Sequence, residues 1–408
     1  MSQIKDIKPN TPISKLKREA STGSGIAFKM EDVADLAGMS TTFIKKVVGH
    51  NGTLNYNEMI EILEQDAFAE TFLPRSCITD HLMKKAETPI KNEITTDDVE
   101  LIVGDATKII KNIANKSVNC IVTSTPYWGM RLYDDMHDVH WEDGETCPLG
   151  MEQTPEGFVR HTIQILHDLK RVLTQDGSIW WNIMDTYNTR TQIRNNAAEA
   201  LRAMQGKDSR SWGDYDCRRY SAGHSYLKDG EQCLIPMKIA ERASRIGYHV
   251  KTVISWTKTG SMPEPQNSRV SRNIEYILHL TLDRTPKFEK ENYRTLPPRL
   301  GGRNIEFEPD KLTDFWALPT SAGKDGHGAQ FPLALPGRCI GVTTVQNDLV
   351  LDPFMGAGTT AMAARMLARR FIGIDISKKY VDIAKKRIQE LQLDAFSGIK
   401  EKRPKYGD

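Results

Sequence analysis

The stretch Asp352–Thr360 limits the possible fold more than any other part of the sequence. It follows two apolar residues, Val350 and Leu351, that predict the end of a buried strand, and it contains the glycines Gly356 and Gly358. A helix is predicted directly after it. A strand, a glycine turn and a helix form half of a nucleotide site in a doubly wound α/β fold, because glycine lets the backbone approach a ligand where a Cβ atom would collide. The same pattern also fits a turn that only packs a helix against a sheet.

The segment after this turn favours a nucleoside ligand. Arg370–Asp375 predicts the next strand, which ends in an acid near the spacing expected for a carboxylate that binds ribose hydroxyls. The turn lacks the Gly-Lys-Ser/Thr sequence of a phosphate-binding loop, so a phosphate is not the expected ligand. An uncharged nucleoside-like cofactor fits better.

Composition indicates a globular protein with more than one domain. The 408 residues exceed a typical single domain, 39% are hydrophobic, 26% are charged, and the net charge is only +2. Any binding of nucleic acid must therefore use local basic patches. The six cysteines form no CxxC pair, which suits a reducing cytoplasm and suggests no metal site. No apolar run has the length of a signal or membrane segment, so we expect a cytoplasmic protein without a membrane partner, in a bacterial, archaeal or phage-type host cell.

The N-terminal region predicts a flexible arm followed by a small helical domain. Residues 1–25 are polar, whereas residues 26–85 carry apolar side chains at helical spacing. Ala34, Gly38 and Ile44 fall at the small, turn and core positions of a helix-turn-helix, and the segment resembles the headpiece of lac-repressor-type regulators. In that motif the exposed face of the second helix would carry Thr41, Thr42, Lys45 and Lys46. An ordinary helical hairpin is the alternative.

A second predicted strand runs directly into a polar sequence that suits chemistry on a base. Val118–Thr123 predicts the strand, and Ser124–Thr125–Pro126–Tyr127–Trp128 follows it. An exocyclic amine of a nucleobase shares its lone pair with the ring, so it becomes nucleophilic only when its N–H bonds find acceptors outside the ring plane. A serine oxygen and the carbonyl before a proline can act as such acceptors. An adjacent aromatic ring can stack on a base taken out of the helix.

These stretches resemble the DNA amino-methyltransferases of class β, in which the catalytic motif precedes the cofactor motif. Ser124–Tyr127 resembles motif IV, and Asp352–Thr360 resembles motif I. Other landmarks follow the family's order, at Gly177–Ile183 (motif VI), Ile235–Arg242 and Gly247–Lys258 (motifs VII and VIII), and His327–Pro336 (motif X). The resemblance covers roughly residues 99–392. It implies a doubly wound, Rossmann-like methyltransferase sheet that uses S-adenosyl-L-methionine.

The resemblance also implies a domain organisation. Residues 99–258 would form the catalytic half of the methyltransferase domain, with a basic insertion at 186–230. Residues 259–321 would form the target-recognition region and residues 322–395 the cofactor-binding half. Residues 396–408 form a basic tail.

The family's residue roles carry over to matching positions. Ser124 and the Thr125 carbonyl would accept hydrogen bonds from the target amine, Pro126 would hold the loop, and Tyr127 would stack on the flipped base. On the cofactor, Phe354 would contact the adenine and Asp375 the ribose hydroxyls. The other cofactor candidates are Asp105, Phe331, Pro332, Asp352, Gly356, Gly358, Thr359 and Thr360.

Two residues of the catalytic motif carry further expectations. Thr125 replaces the first of the family's two prolines, so the loop is less rigid, and the added hydroxyl and N–H need partners. Ser124 resembles the first residue of N4-cytosine enzymes, since N6-adenine enzymes usually carry Asp or Asn there. We therefore expect methylation of cytosine N4, with adenine N6 as the alternative. Transfer would be direct, because no Pro-Cys loop of the cytosine-C5 type occurs.

The expected substrate, duplex DNA, would meet basic residues in two regions. The insertion at 186–230 offers Arg190, Arg194, Arg218 and Arg219, and the target-recognition region offers Arg269, Arg272, Arg299 and Arg303. A solvated insertion is the alternative for residues 186–230. The resemblance allows a cognate restriction endonuclease as a further partner, and the sequence leaves both that partner and the oligomeric state open.

Two other functions remain open from the sequence. One is a methyltransferase that acts on RNA or a small substrate, which the helix-turn-helix pattern disfavours. The other is a DNA-binding regulator with an inactive methyltransferase core, which the same pattern and Thr125 would suit.

Overall fold

The computed structural model describes residues 27–37, 41–55, 58, 62, 94–130, 137–141, 146–152, 154–188, 230–258, 268–319 and 331–397. The chain divides into two compact units. The smaller unit is built mainly from Met1–Pro89, and the larger unit contains most of the remaining chain. Among the helices of the described part, none combines the length and the apolar composition that crossing a bilayer requires.

The smaller unit contains the expected pair of short helices, α1 (Met30–Ala37) and α2 (Thr41–Val48). Val33, Ala34 and Ile44 are buried, as the helical pattern predicts. Thr42, Lys45 and Lys46 are exposed on α2, and Thr41 is half-buried. Gly38, which was expected to end the first helix, lies outside the described residues, as does the arm at 1–25. The reading of DNA by this unit stays a prediction.

An eight-stranded sheet forms the centre of the larger unit. Its spatial order is β1-β10-β9-β2-β5-β7-β6-β8. The strands are β1 (Val99–Val103), β2 (Val118–Ser124), β5 (Leu173–Ile183), β6 (His249–Lys258), β7 (Ile274–Thr281), β8 (Phe315–Leu318), β9 (Leu349–Asp352) and β10 (Arg370–Asp375), while β3 (Val139–His140) and β4 (Thr146–Cys147) pair separately. The strand predicted at Arg370–Asp375 is thus present with the same bounds.

Seven helices accompany the sheet within the described residues. They are α3 (Ala106–Ile109), α4 (Pro155–Val172), α5 (Ile235–Arg245), α6 (Asn292–Thr295), α7 (Ala334–Thr343), α8 (Thr359–Met366) and α9 (Lys378–Ser397). Of these, α3 and α6 are single turns. Short 3₁₀ turns occur at Ile110–Asn112 and Pro298–Leu300. Thr154 caps the N-terminus of α4 by accepting a 3.0 Å hydrogen bond from the Gly157 N–H, and Pro155 fits the first turn because it lacks an N–H.

The strand order confirms the predicted doubly wound α/β sheet. From β9 the chain continues to β10 on one side, and from β2 it continues to β5 on the other side. The order therefore reverses between β9 and β2, which is where such sheets bind ligands. Only β7 among the eight strands runs antiparallel to its neighbours. Its first residues consequently lie at the edge where the other strands end.

Both faces of the sheet are buried. One face contributes Cys120, Val122, Trp180 and Phe371 to a core shared with α7, α8 and α9. Side chains alternate along a strand, so Ile121, Ile179 and Trp181 point to the opposite face, and they too are buried. Burial raises the pKa of the Cys120 thiol to about 12, which makes this cysteine a packing residue at neutral pH.

A buried ion pair fastens the segment between β7 and β8 to α7. The Arg338 guanidinium donates to both carboxylate oxygens of Glu308 at 2.6 and 2.8 Å, and it also donates to the Gly301 carbonyl at 2.6 Å. Both side chains are fully buried. Because β7 and β8 are strands of the main sheet, these parts of the expected target-recognition region belong to the α/β core.

Candidate active site

The Ser124–Tyr127 loop begins where β2 ends, and a neighbouring loop supports it. The Gly129 N–H donates a 2.7 Å hydrogen bond to the Gly150 carbonyl. Gly150 has a φ of +91°, and a Cβ atom there would lie 3.2 Å from the Pro126 side chain and from the Tyr127 carbonyl oxygen. Close packing of Gly150 against Pro126 and Tyr127 thus supports a loop in which Thr125 replaces the family's first proline. The indole of Trp128 is buried and donates to the Glu152 carbonyl at 2.9 Å.

The Ser124 hydroxyl belongs to a hydrogen-bonded group that we call the polar cluster: Ser124, Tyr127, Asn182, Lys258 and Glu275. Ser124 Oγ lies 3.1 Å from the Tyr127 hydroxyl, which lies 2.5 Å from Glu275 Oε2. The Asn182 amide donates to the Tyr127 oxygen at 2.8 Å and to Glu275 Oε2 at 2.7 Å. Lys258 forms an ion pair with the other oxygen of Glu275. Both carboxylate oxygens of Glu275 therefore have partners: one pairs with Lys258, and the other accepts from Tyr127 and Asn182.

Sheet topology explains why these residues meet. Ser124 and Asn182 are direct partners in the parallel ladder of β2 and β5, so their side chains share a face. Lys258 ends β6, and Glu275 lies at the start of the reversed strand β7, which brings both to the same edge. Sequence reasoning assigned no role to Asn182, Lys258 or Glu275. The available signal was weak: Asn182 lies within the apolar run that ends β5, and Glu275 lies near the start of β7.

Thr125 carries a side-chain hydroxyl where the family has a proline. The residue is 4% exposed, and Thr125 Oγ1 has no hydrogen-bond partner among the described residues. The predicted need for a partner is therefore not met by that part of the protein. The side-chain oxygen of Asn182 is likewise buried without a partner within the described ranges. Two buried polar atoms thus lie unsatisfied at or next to Ser124, where a substrate base could pair with them.

Asp352 closes the strand before the glycine turn and is buried. Its carboxylate accepts hydrogen bonds from the Thr123 hydroxyl at 2.7 Å, the Thr360 hydroxyl at 2.6 Å and the Phe354 N–H at 3.1 Å. Burial nevertheless raises the pKa of Asp352 from 3.8 to about 6, and the nearby Asp375 carboxylate contributes in the same direction. Asp352 and Thr360 therefore hold the turn together on its buried side, because their side chains are hydrogen-bonded to each other and are not exposed to solvent.

Asp375 shapes the other side of this turn. Its carboxylate accepts from the Gly356 N–H at 2.8 Å and from the Ser377 N–H at 2.8 Å, and it is half-buried. Gly358 begins α8 with a φ of +81°, and a Cβ atom there would lie 2.7 Å from Ala384 Cβ on α9. Glycine is thus required at 358 both by backbone conformation and by the close approach of α9.

The residues at the ends of β9 and β10 fit a nucleoside cofactor. Asp375 offers a half-buried carboxylate to hydroxyl groups, and Phe354 offers a half-buried ring that meets Trp181 edge-on at 6.3 Å. Phe354 follows β9, which borders the reversal of strand order, and Asp375 is the last residue of the neighbouring strand β10. A carboxylate and an aromatic ring suit the ribose and adenine of S-adenosyl-L-methionine better than a phosphate, which a carboxylate would repel.

The other cofactor candidates lie at the same edge of the sheet but differ in their contacts. Asp105 follows β1 and accepts from the N–H and the hydroxyl of Thr107, so it caps α3. Thr359 is buried at the start of α8. Phe331 and Pro332 precede α7, where Pro332 accepts a hydrogen bond from the Leu335 N–H and Phe331 packs against the core.

The arginines predicted to contact DNA fall in different places. Arg269 and Arg272 lie over the ring of Tyr187 at 3.8 and 5.0 Å, and Arg272 also donates a hydrogen bond to the Asp185 carbonyl. Both arginines therefore pack against the segment that follows β5, a few residues before Glu275 in the chain. Arg303 pairs with Asp310 at 3.1 Å. Arg299 is exposed and contacts Met366 at the C-terminal end of α8, away from the cofactor turn. The remaining candidates, Arg190, Arg194, Arg218 and Arg219, lie outside the described residues.

A second buried group lies under the loop that supports Tyr127. Cys147, Glu152 and His161 bring ligand-type atoms within 4.8 Å of one another. His161 Nδ1 lies 3.0 Å from Glu152 Oε1, the other Glu152 oxygen accepts from the Gly150 N–H at 2.9 Å, and the His161 ring stacks on Trp141 at 4.0 Å. These contacts connect the three residues to the loop and give them a supporting role.

The arrangement as a whole suits group transfer to an amine. The Ser124 hydroxyl supplies a half-buried acceptor, and the Asp352–Asp375 half supplies a nucleoside site on the neighbouring side of the β9–β2 reversal. The two sites are held together by sheet pairing between β2 and β9, at Cys120–Val350 and Ile121–Leu351. A methyl donor and an amine bound at these places would meet at the edge of the sheet.

Comparison with known proteins identifies the family of this chain. The model of the DNA methylase family, which covers N6 and N4 methyltransferases, matches residues 118–386. Type II methyltransferase M.Cfr9I of Citrobacter freundii is 30% identical over 318 residues, which cover 75% of this chain and 95% of that protein. Type II methyltransferase M.SmaI of Serratia marcescens is 27% identical over 298 residues, covering 71% and 90%. Among solved structures, the cytosine-N4-specific PvuII DNA methyltransferase is 14% identical, covers 76% of this chain and 97% of that chain, and has a TM-score of 0.49.

The family match includes both halves of the candidate site. It begins at the first residue of β2, runs through the polar cluster, and ends in α9 beyond Asp375. The motif order, with Ser124–Tyr127 ahead of Asp352–Thr360, is the permuted order expected from the sequence. The chain belongs to the DNA methylase family of S-adenosyl-L-methionine-dependent N6 and N4 amino-methyltransferases.

Proposed function

We propose that this protein transfers a methyl group from S-adenosyl-L-methionine to the N4 amine of a cytosine that is flipped out of duplex DNA. The observation that carries the proposal is the half-buried Ser124 hydroxyl at the end of β2, beside the strand that leads into the cofactor turn. Ser124 also supports cytosine as the target, because serine at this motif position resembles the N4-cytosine enzymes. Methylation of adenine N6 is the alternative that the experiment below separates.

In the proposed mechanism the chain positions the amine and removes competing water. When bound, S-adenosyl-L-methionine supplies a methyl group on a positively charged sulfur. Ser124 Oγ and the Thr125 carbonyl accept the two N–H bonds of the amine and hold them out of the ring plane, which frees the nitrogen lone pair. Tyr127 would stack on the base, Phe354 would contact the adenine of the cofactor, and Asp375 would accept hydrogen bonds from its ribose hydroxyls. Most of the rate then comes from orientation and fixed dipoles.

DNA contacts are proposed for two sets of residues. Arg269 and Arg272 pack over the ring of Tyr187, and they precede Glu275 by a few residues in the chain. They are therefore suited to contact phosphates near the flipped base. In the small helical unit, Thr42, Lys45 and Lys46 are exposed on one short helix and are suited to a groove or backbone contact. Arg299 and Arg303 are weaker candidates, because one lies beside the far end of α8 and the other pairs with Asp310.

The names of the relatives suggest a biological setting. M.Cfr9I and M.SmaI are both called Type II methyltransferases. We propose by analogy that this chain is the modification enzyme of a Type II system, and that a cognate restriction endonuclease recognises the same DNA sequence. Digestion of methylated and unmethylated host DNA by that endonuclease would test the pairing.

Transfer of tritium from labelled S-adenosyl-L-methionine tests the main proposal. The protein is incubated with genomic duplex DNA or with RNA, the product is digested, and the nucleosides are separated by chromatography. Label in N4-methylcytosine is the expected result. Label in N6-methyladenine would overturn the base assignment, and label only in RNA would overturn the substrate class. An absence of transfer with all substrates would favour a DNA-binding regulator with an inactive core.

A further inference from the structure

The polar cluster has a fixed direction of hydrogen bonding. Ionised Glu275 can only accept, so the single proton of the Tyr127 hydroxyl must be donated to it across the 2.5 Å contact. The Tyr127 oxygen can then only accept, and it does so from the Asn182 amide at 2.8 Å. Ser124, at 3.1 Å, must therefore donate its own proton to Tyr127. Ser124 Oγ also accepts a long 3.4 Å contact from the Asn182 amide, and its second lone pair is left for a group outside the cluster.

This direction depends on the charge of one residue. Glu275 is 6% exposed, and its second oxygen is paired with Lys258, whose side chain is 21% exposed. A buried carboxylate keeps its charge when it has a cationic partner and several donors, and Lys258, Asn182 and Tyr127 supply them. Glu275 does not itself reach the place of the substrate, since Tyr127 and Asn182 lie between it and Ser124.

We propose that Glu275 is a positioning residue for methyl transfer that acts through Tyr127: it holds the Ser124 hydroxyl as an acceptor for the target amine and receives the proton that the amine loses. The inference rests on the proposed function only in that Ser124 faces the target amine, and it applies to cytosine and adenine alike. It gives the Tyr127 hydroxyl a role separate from the stacking of its ring.

The step balances in atoms and charge. The amine nitrogen forms a bond to the methyl carbon as the bond from that carbon to sulfur breaks with its electron pair remaining on sulfur. One N–H proton moves to Ser124 Oγ, the Ser124 proton moves to the Tyr127 oxygen, and the Tyr127 proton moves to Glu275. The positive charge of the sulfonium and the negative charge of the carboxylate disappear together. Glu275 then releases its proton to solvent.

A double-mutant cycle tests the inference. Glu275→Gln removes the charge, and Tyr127→Phe removes only the hydroxyl while the ring remains. We expect each change to lower the single-turnover rate of methyl transfer by about 10- to 100-fold. This loss reaches the lower end of the contribution that a direct general base makes to a rate. The double variant should be no slower than the slower single variant, because both changes interrupt one path. Glu275→Asp, which keeps the charge, should recover part of the rate.

Two binding measurements separate this role from a merely structural one. Binding of S-adenosyl-L-methionine by calorimetry and base extrusion from 2-aminopurine fluorescence should each stay within about twofold of wild type in Tyr127→Phe, since neither needs a proton acceptor. The duplex for both assays contains the site found by methylation-aware sequencing. Glu156→Gln, which breaks the ion pair with Arg242 between α4 and α5, is the matched control and should transfer at the wild-type rate.

The possible results are distinct. Losses that multiply in the double variant, or a Tyr127→Phe rate within twofold of wild type, would overturn the inference. If Glu275→Gln fails to fold, the Tyr127→Phe rate still decides, because that change leaves Glu275 paired with Lys258 and Asn182. Failure of the proposed function looks different, because wild-type protein itself would then transfer no label to DNA.

Discussion

The Thr123 hydroxyl donates a 2.7 Å hydrogen bond to Oδ1 of Asp352, although the two residues are 229 positions apart in the chain. Thr123 immediately precedes Ser124, and Asp352 immediately precedes the cofactor turn. Both residues are buried. One contact therefore fixes the distance between the catalytic loop and the cofactor turn, and the carboxylate in it is sensitive to pH.

Stability should depend on pH through Asp352. Its pKa is raised from 3.8 to about 6 in the folded protein, so between these values the folded state retains a proton that the unfolded chain has lost. Stability from this group therefore falls as pH rises from about 4 to about 6, by roughly 3 kcal/mol at about 1.4 kcal/mol per pKa unit. Asp352→Asn cannot titrate. Its free energy of unfolding in urea, relative to wild type, should thus increase from pH 4 to pH 7, and a difference that is constant over this range would contradict the assignment.

Ser124→Ala should abolish methyl transfer and leave cofactor binding intact. The change removes one acceptor for the target amine, and we expect the rate to fall by at least about 100-fold. Because Ser124 makes its hydrogen bonds to Tyr127 and Asn182, affinity for S-adenosyl-L-methionine measured by calorimetry should change by less than about threefold. Ser117→Ala, at a serine that bonds only locally to the Ala114 carbonyl, is the control. Turnover equal to that of wild type in Ser124→Ala would refute the assigned role.

Asp375→Ala should chiefly weaken cofactor binding. A hydrogen bond to a charged group contributes about 1.5–3 kcal/mol, so the Kd for S-adenosyl-L-methionine should rise by about 10- to 100-fold. The Gly356 N–H would also lose its acceptor, which loosens the turn. Asp382→Ala, at an exposed acid paired with Lys378 on α9, should leave the Kd unchanged. An unaltered Kd in Asp375→Ala would count against the ribose contact.

Thr125→Val tests whether the unpartnered hydroxyl serves the substrate. Valine keeps the branched shape and removes a buried oxygen that has no partner among the described residues, so the free energy of unfolding should rise by about 1 kcal/mol. The main-chain carbonyl is retained, so transfer should continue within about threefold of the wild-type rate. A loss of rate above tenfold, with improved stability, would instead assign the hydroxyl to the base.

Glu308→Gln should destabilise the protein strongly. It leaves the fully buried Arg338 guanidinium without its carboxylate, and the loss of one partner from a buried pair costs about 3–5 kcal/mol. The exposed pair between Asp310 and Arg294 gives a contrast, because Asp310→Asn should cost less than about 1 kcal/mol. Urea unfolding of both variants measures the difference. Similar small losses in the two would show that the Arg338 charge is compensated elsewhere.

The cofactor half could be predicted well from the sequence because its signals are local. The strand at Arg370–Asp375, the turn glycines and the helix after them depend on residues that are close together in the chain. Ser124–Tyr127 was also recognisable, since the motif is contiguous. In the structure the strands that precede these two motifs, β2 and β9, are neighbours at the reversal of strand order.

The rest of the polar cluster could not be predicted, because it depends on distant strands. Glu275 lies 148 positions from Tyr127, and it reaches the site only because β7 runs against its neighbours. An acid at the start of an apolar strand has no spacing relation to a serine at the end of another strand. Strand direction and register had to be known before Glu275 could be placed beside Tyr127 and Asn182.

The pairing of β1 with β10 has a consequence for protein synthesis. Val99 pairs with Phe371 and Val103 with Asp375, so the first strand of the sheet lies beside its last. A ribosome adds about 5–20 residues per second, which leaves β1 without this neighbour for roughly a quarter of a minute to a minute. The cofactor site is therefore completed only after Asp375 has emerged. Until then, the apolar strands made first depend on chaperones or on fast early pairing to avoid aggregation.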